Sequence, residues 1–369
     1  MSCFITDYGV TGPNAVALED SISQKDGLVT AGSKILENFI SPFDATVVTR
    51  LLKSGYAVAG KTTMDEFGVF PIAGKRNEVL GAIKAVADGL AGYALCNDLF
   101  GRYREQAAEN ACCYIHPTYG TVSRFGLVPL ASSMDQIGVV CKNLSDGFAL
   151  LSKITGKDPG DGAMFPEENF CYASANRGIR IGIPGSVVQK AEVSSREAIK
   201  DFAGRFQTID MELAYFQVYK QVMYILSCAE ISNNINRYDG VKFGYRAPAF
   251  RGVNDLYVKT RSESFGFDVK LSAIMGSMVL SQNQYIPYYE KAMKVRRLIK
   301  ESLDFDSYDI IALPCKISED NYENLSLYAL TALAGLPAVS FSYNGHGIQL
   351  IANVKNESLL LSAWEALAA

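Results

Sequence analysis

Between residues 44 and 60 a helical pattern runs straight into the pattern of a buried strand. Asp44 stands at the head of Ala45-Thr46-Val47-Val48-Thr49-Arg50-Leu51-Leu52, which reads as an N-capped amphipathic helix stopped at Gly55. Tyr56-Ala57-Val58-Ala59-Gly60 follows at once, short and apolar like a strand covered on both faces. Helix then strand is the unit of α/β folds. The same alternation recurs along the chain. Ala15-Val16-Ala17-Leu18 reads as a strand, Leu144 to Thr155 as a helix ending near Gly156, and Ile179 to Pro184 as a strand. Ser194 to Phe206 reads as a helix, Lys291 to Leu303 as a basic helix, and Ile310 to Pro314 as a strand. We expect a single α/β domain over 1–369. The loop Lys157-Asp158-Pro159-Gly160-Asp161-Gly162 is the best place for a boundary between lobes, near 157–162.

Composition narrows the function classes. Hydrophobic residues make up 49% and charged residues 20%, as in ordinary globular proteins. A net charge of −4 gives no footprint for DNA or for direct RNA binding, so any RNA would be reached through a partner. No apolar run is long enough to span a membrane. Met1-Ser2-Cys3-Phe4-Ile5-Thr6-Asp7 has neither the basic nor the apolar region of a signal peptide. The eight cysteines contain no C-x-x-C pair, so neither zinc nor a dithiol couple is indicated. Scattered thiols without an export signal read as reduced and cytoplasmic. No cofactor and no metal are expected.

Two long stretches carry a stronger signal. One is Ala31-Gly32-Ser33-Lys34-Ile35-Leu36-Glu37-Asn38-Phe39, continuing to Gly60-Lys61-Thr62-Thr63-Met64-Asp65-Glu66-Phe67. The other is Pro117-Thr118-Tyr119-Gly120-Thr121-Val122-Ser123-Arg124-Phe125-Gly126, running on to Ala131-Ser132-Ser133-Met134-Asp135-Gln136-Ile137-Gly138. Further collinear matches follow at Arg237 to Arg246, Thr260 to Gly266, Tyr288 to Lys300 and Leu333 to Ala338. Together they resemble the amidase-signature family. Within it they are most similar to the A-subunit branch of the glutamyl-tRNA(Gln) and aspartyl-tRNA(Asn) amidotransferases. The resemblance implies a central mixed twisted β-sheet with helices on both faces. It also implies a chain shortened at its N-terminus, and B-type and C-type partner subunits through which tRNA would be reached.

The family's chemistry is a Ser–cis-Ser–Lys triad, with glycines that open an oxyanion hole. Carried over position by position, the lysine falls on Glu19, the middle serine on Glu78 and the nucleophile on Arg102. A guanidinium stays cationic and has no lone pair with which to attack a carbonyl. The glycine loops become Arg76-Asn77-Glu78-Val79-Leu80-Gly81 and Asp98-Leu99-Phe100-Gly101-Arg102-Tyr103-Arg104, and the chain is shorter around Phe70 to Lys75. Arg296 matches an arginine that binds the glutamine carboxylate, and is read as a relic. Opposite charges at formerly adjacent positions suggest a plug in which Arg102 pairs with Glu19 or Glu78. Cys112, Cys113, His116, His346 and the Asp65-Glu66 pair read as structural. The reading is a non-catalytic partner protein. The alternative is a working amidotransferase that hydrolyses glutamine with other residues, and a third reading is a decaying gene product.

Overall fold

Ala15–Glu19 is buried along its whole length, which only a strand covered on both faces can be. The computed structural model describes residues 2–69, 78–175 and 177–367. Among these, the strands are β1 Phe4–Asp7, β2 Ala15–Glu19, β3 Ala57–Thr62, β4 Tyr93–Asn97, β5 Cys113–His116, β6 Ile137–Cys141, β7 Arg180–Pro184, β8 Gln207–Met211, β9 Ile310–Pro314, β10 Ala338–Tyr343 and β11 His346–Ala352. They form one sheet in the order β1-β3-β2-β4-β6-β5-β10-β11-β9-β7-β8. The sheet is mixed. Strand β2 lies parallel to β3 and β4, and β7 parallel to β8 and β9. The middle, from β4 through β6, β5, β10 and β11 to β9, is antiparallel throughout.

The helices are α1 Thr46–Lys53, α2 Gly81–Ala87, α3 Arg102–Glu109, α4 Leu144–Ile154, α5 Gly185–Val188, α6 Val193–Ala203, α7 Tyr219–Asn234, α8 Val253–Ser264, α9 Phe267–Val279, α10 Lys291–Glu301, α11 Asn321–Ala334 and α12 Glu357–Glu365. Alternate side chains of each strand feed different layers. Val16 and Leu18 of β2 join the apolar cluster beneath α1, α4, α6 and α12. Ala15 and Ala17 face the other way, against α2 and α3. Over the other half of that second face, α7, α9, α10 and α11 pack on Ile311, Leu313 and Ile351.

One local expectation fails. Asp44 does not cap α1: the capping position is Ala45, which makes no side-chain bond, and Asp44 instead accepts the Lys25 amide at 2.8 Å. The carboxylate serves the neighbouring loop rather than its own helix. The loop at 157–162 is pinned on both sides. Asp158 accepts from the Thr46 and Ser123 hydroxyls at 2.6 and 2.5 Å, and Asp161 pairs with Arg124 at 2.5 Å. Strands from before and after this loop share the one sheet, as β5 and β10 show. Among the described residues no helix is long and apolar enough to cross a membrane.

Candidate functional site

Strand β4 ends at Asn97, and Asp98-Leu99-Phe100-Gly101 turns the chain into α3. Asp98 holds this turn. Its carboxylate accepts the amides of Tyr103 and Arg104 at 3.1 and 3.2 Å and the Arg104 Nε at 2.8 Å. Arg104 is fully buried, and its Nη1 donates to Thr331 Oγ1 at 2.6 Å and to Gln349 Oε1 at 3.0 Å. The guanidinium also lies 4.9 Å from the centre of the Tyr328 ring. Gly101 must be glycine: its φ is +84°, and a Cβ would sit 1.9 Å from Tyr328 Cγ. A second brace lies below. Asn97 donates to Asp135 at 2.9 Å and accepts the Gln136 amide at 3.0 Å, while Asp135 accepts the amides of Leu130 and Ala131.

Arg102 is the first residue of α3. Its Nε lies 3.2 Å from Asp65 Oδ2, a charge contact without hydrogen-bond geometry. The expected plug is therefore wrong in its partner. Among the described residues no ion pair joins Arg102 to Glu19 or Glu78, and Asp65, read as scaffold, takes that place. The reason lies in how Glu19 is held. Its two oxygens accept the Ser21 hydroxyl at 2.5 Å and the Asn97 amide at 3.1 Å, and the Tyr103 hydroxyl lies beside it. Burial pushes Glu19 up from an ordinary 4.5 to about 7, against the pull of Ser21, Tyr103 and Asn97. A carboxyl can relieve burial by taking a proton; an arginine cannot, and must keep a carboxylate close. Glu78 is exposed, and what it contributes to the neighbourhood is its carbonyl, which accepts from Gln106 Nε2 at 3.2 Å. A cavity of about 20 Å³ remains between Asp65, Asn97, Asp98, Phe100, Arg102 and Tyr103, room for about one water. The segment Phe70–Asn77, where the shortened loop and part of the altered glycine loop were read, lies outside the described residues.

Sequence reasoning passed over Lys61. It pairs with Leu18 across β3 and β2, is wholly buried, and donates from Nζ to the Ile22 carbonyl. Burial lowers it to about 8, with Asp20 and Glu19 pulling the other way. Asp20 is itself buried and raised by burial, and it accepts the Thr30 amide at 3.0 Å. The signal was present, because Lys61 stands between Ala59-Gly60 and Thr62 in a strand with no exposed face.

Arg296, on α10, has its donors committed to the protein. Nε donates to the Leu333 carbonyl at 2.7 Å, Nη1 to Ser133 Oγ at 3.0 Å and Nη2 to the Ser133 carbonyl at 3.2 Å. Ser133 is fixed in turn by Glu230, through its amide at 2.9 Å and its hydroxyl at 2.5 Å. Cys112 and Cys113 are buried, and burial pushes the Cys113 thiol up to about 12, so it stays a thiol. His116 is fully buried, and burial with the nearby Arg104 cation holds it well below the usual imidazole range.

The Amidase family profile matches residues 15–77 and 81–361, and the chain belongs to that family. It is 38% identical over 371 residues to the A subunit of glutamyl-tRNA(Gln) amidotransferase from Lachnoclostridium phytofermentans, covering 88% of this chain and 74% of that protein. With the same protein of Trichodesmium erythraeum the identity is 36%, over 94% of this chain and 82% of the relative. The crystal structure of its counterpart from Thermotoga maritima matches with a TM-score of 0.76 at 26% identity, covering 96% of this chain and 82% of the other.

Proposed function

We propose that this chain is a catalytically degenerate homologue of the amidotransferase A subunit, acting as a non-catalytic structural or regulatory partner of B-type and C-type subunits. The observation that carries this reading is Arg102. By resemblance it stands where the family has its nucleophile, at the head of α3, while the clamps that fix that place are intact. Glu19, at the lysine's place, sits among neutral donors with a raised pKa, so it does not supply the neutral amine that the family mechanism uses. Arg296, the relic of carboxylate binding, spends three donors on Leu333 and Ser133. Any tRNA would be met through the partner.

One observation favours the second reading, a working amidase with other residues. The Ser21 hydroxyl donates to Glu19 at 2.5 Å, and a hydroxyl on a carboxylate with a pKa near 7 is a nucleophile–base pair. Against it, Ser21 and Glu19 are both buried. Ammonia release from glutamine separates the readings. The purified chain is assayed alone and with B-type and C-type subunits, beside a Ser21→Ala variant and an Arg102→Ser, Glu78→Ser, Glu19→Lys triple variant. Ammonia from the unaltered chain that Ser21→Ala abolishes would establish the second reading. No ammonia, with a stable complex formed, is the result expected.

A further inference from the structure

Helix α9 is apolar on two opposite sides. One side, Val269, Gly276 and Val279 with the small Ser272 among them, is buried. Gly276 brings α9 so close to α7 that a Cβ there would lie 2.0 Å from the Cys228 carbonyl oxygen, so the helix is fixed in rotation. The other side presents Phe267, Ile274 and Met278, which lie along one stripe at helical spacing. Phe267 and Ile274 are 64% and 67% exposed. Leu280 at the end of the helix is exposed too, and beyond the polar run Ser281-Gln282-Asn283 so are Tyr285 and Ile286. A surface helix ordinarily turns only one apolar stripe, the one facing the core, so a second apolar stripe on the solvent side marks an interaction site rather than the scatter expected on a free surface.

The charge beside it says what covers it. The π-helical turn Tyr285–Glu290 leads directly into α10, whose exposed bases Lys291, Lys294, Arg297 and Lys300 outnumber Glu290 and Glu301 by two, in a chain whose net charge is −4. A second copy docked across a twofold axis would bring two such positive rims together. We infer that the outer face of α9 and the turn after it dock a protein subunit whose contact surface is apolar with an acidic rim. This rests on the proposed reading of the chain as one member of a complex, and adds which face binds and what chemistry it meets.

The test co-expresses the full chain with a B-type subunit, with a C-type subunit, and with both, and measures complex mass by light scattering and affinity by interferometry. An Ile274→Glu, Ile286→Glu double variant is expected to weaken the complex about 30-fold or more. Val193→Glu, equally exposed but on α6 across the sheet, leaves it unchanged. Lys291→Glu with Lys294→Glu tests the rim without touching the stripe, and is expected to slow association and remove its salt dependence between about 0.05 M and about 0.5 M. Thermal melts of each variant show that it folds. If the double glutamate variant folds and binds like wild type, the face is wrong while the reading as a complex member stands. If the wild-type chain binds neither partner, both fail together. A wild-type chain that pairs with itself, with the double variant monomeric, replaces the acidic partner by a second copy.

Discussion

Two arginines stand two residues apart at the head of α3 and do opposite things. Arg104 is fully buried and is bound by Asp98, Thr331, Gln349 and the Tyr328 ring. Arg102 keeps 13% of its side chain exposed and touches Asp65 at 3.2 Å without hydrogen-bond geometry. A buried cation is tolerable only when its donors are met. Arg104 satisfies that condition with groups from α11 and β11, so it fastens the junction to distant parts of the fold. Arg102 satisfies it loosely, with a carboxylate from the loop after β3. The contrast separates what shapes the junction from what occupies it.

The largest effect that could break this contrast is at the clamp. Arg104→Ala leaves Asp98 buried without its cation, and should cost about 3–5 kcal/mol in urea denaturation. Gly101→Ala should be comparable or prevent folding, because it combines a left-handed backbone at φ +84° with a Cβ placed inside Tyr328. A loss under about 1 kcal/mol for either variant would mean that the junction is held from elsewhere.

The clamp was legible in sequence only as a resemblance. Asp98, Gly101 and Arg104 lie in the loop carried over from the family, but nothing in their spacing names Thr331 and Gln349, more than two hundred residues away. Strands β2, β3 and β9 were legible because a strand buried on both faces reads as an apolar run, and β7 because Ile179, Ile181 and Ile183 alternate around Arg180 and Gly182. Asp44 misled because a carboxylate ahead of an apolar helix reads as a cap whether it turns inward or toward Lys25. The β10–β11 hairpin was not read. Its Asn344-Gly345 pair, with φ values of +50° and +80°, carries a two-residue hairpin signal. Asp65 could not be found by pattern. It becomes the partner of Arg102 because the fold brings the loop after β3 against the head of α3, which spacing along the chain does not reveal.

Glu19 sharpens the comparison through pH. Its folded pKa is raised above the unfolded value, so its protonated form contributes stability fully below pH 4.5, and that contribution is lost as pH rises through about 7. Glu19→Gln removes the ionisation while the amide carbonyl can still accept from Asn97 and the Ser21 hydroxyl can turn to accept. At pH 5 the variant should melt close to wild type. At pH 8 it should be more stable, by roughly 2–3 kcal/mol. Equal stability of the two proteins at pH 8 would show that Glu19 is ionised at little cost, and would revive a charge partner for it.

The smallest effect is expected where the change of chemistry is greatest. Arg102→Met keeps the length and apolar stem of the side chain and removes only the charge. Asp65 is 11% exposed, so its carboxylate keeps a route to water once the guanidinium is gone. The stability change should stay within about 1 kcal/mol, seen as a small shift of the urea midpoint at constant slope. A loss approaching that of Arg104→Ala would make Arg102 a second clamp, kept for structure whatever the site does. A near-neutral result means that stability does not require an arginine there. On the function proposed above, what the arginine sets is the chemistry at the head of α3, as a fixed cation at the place the resemblance gives to a nucleophile.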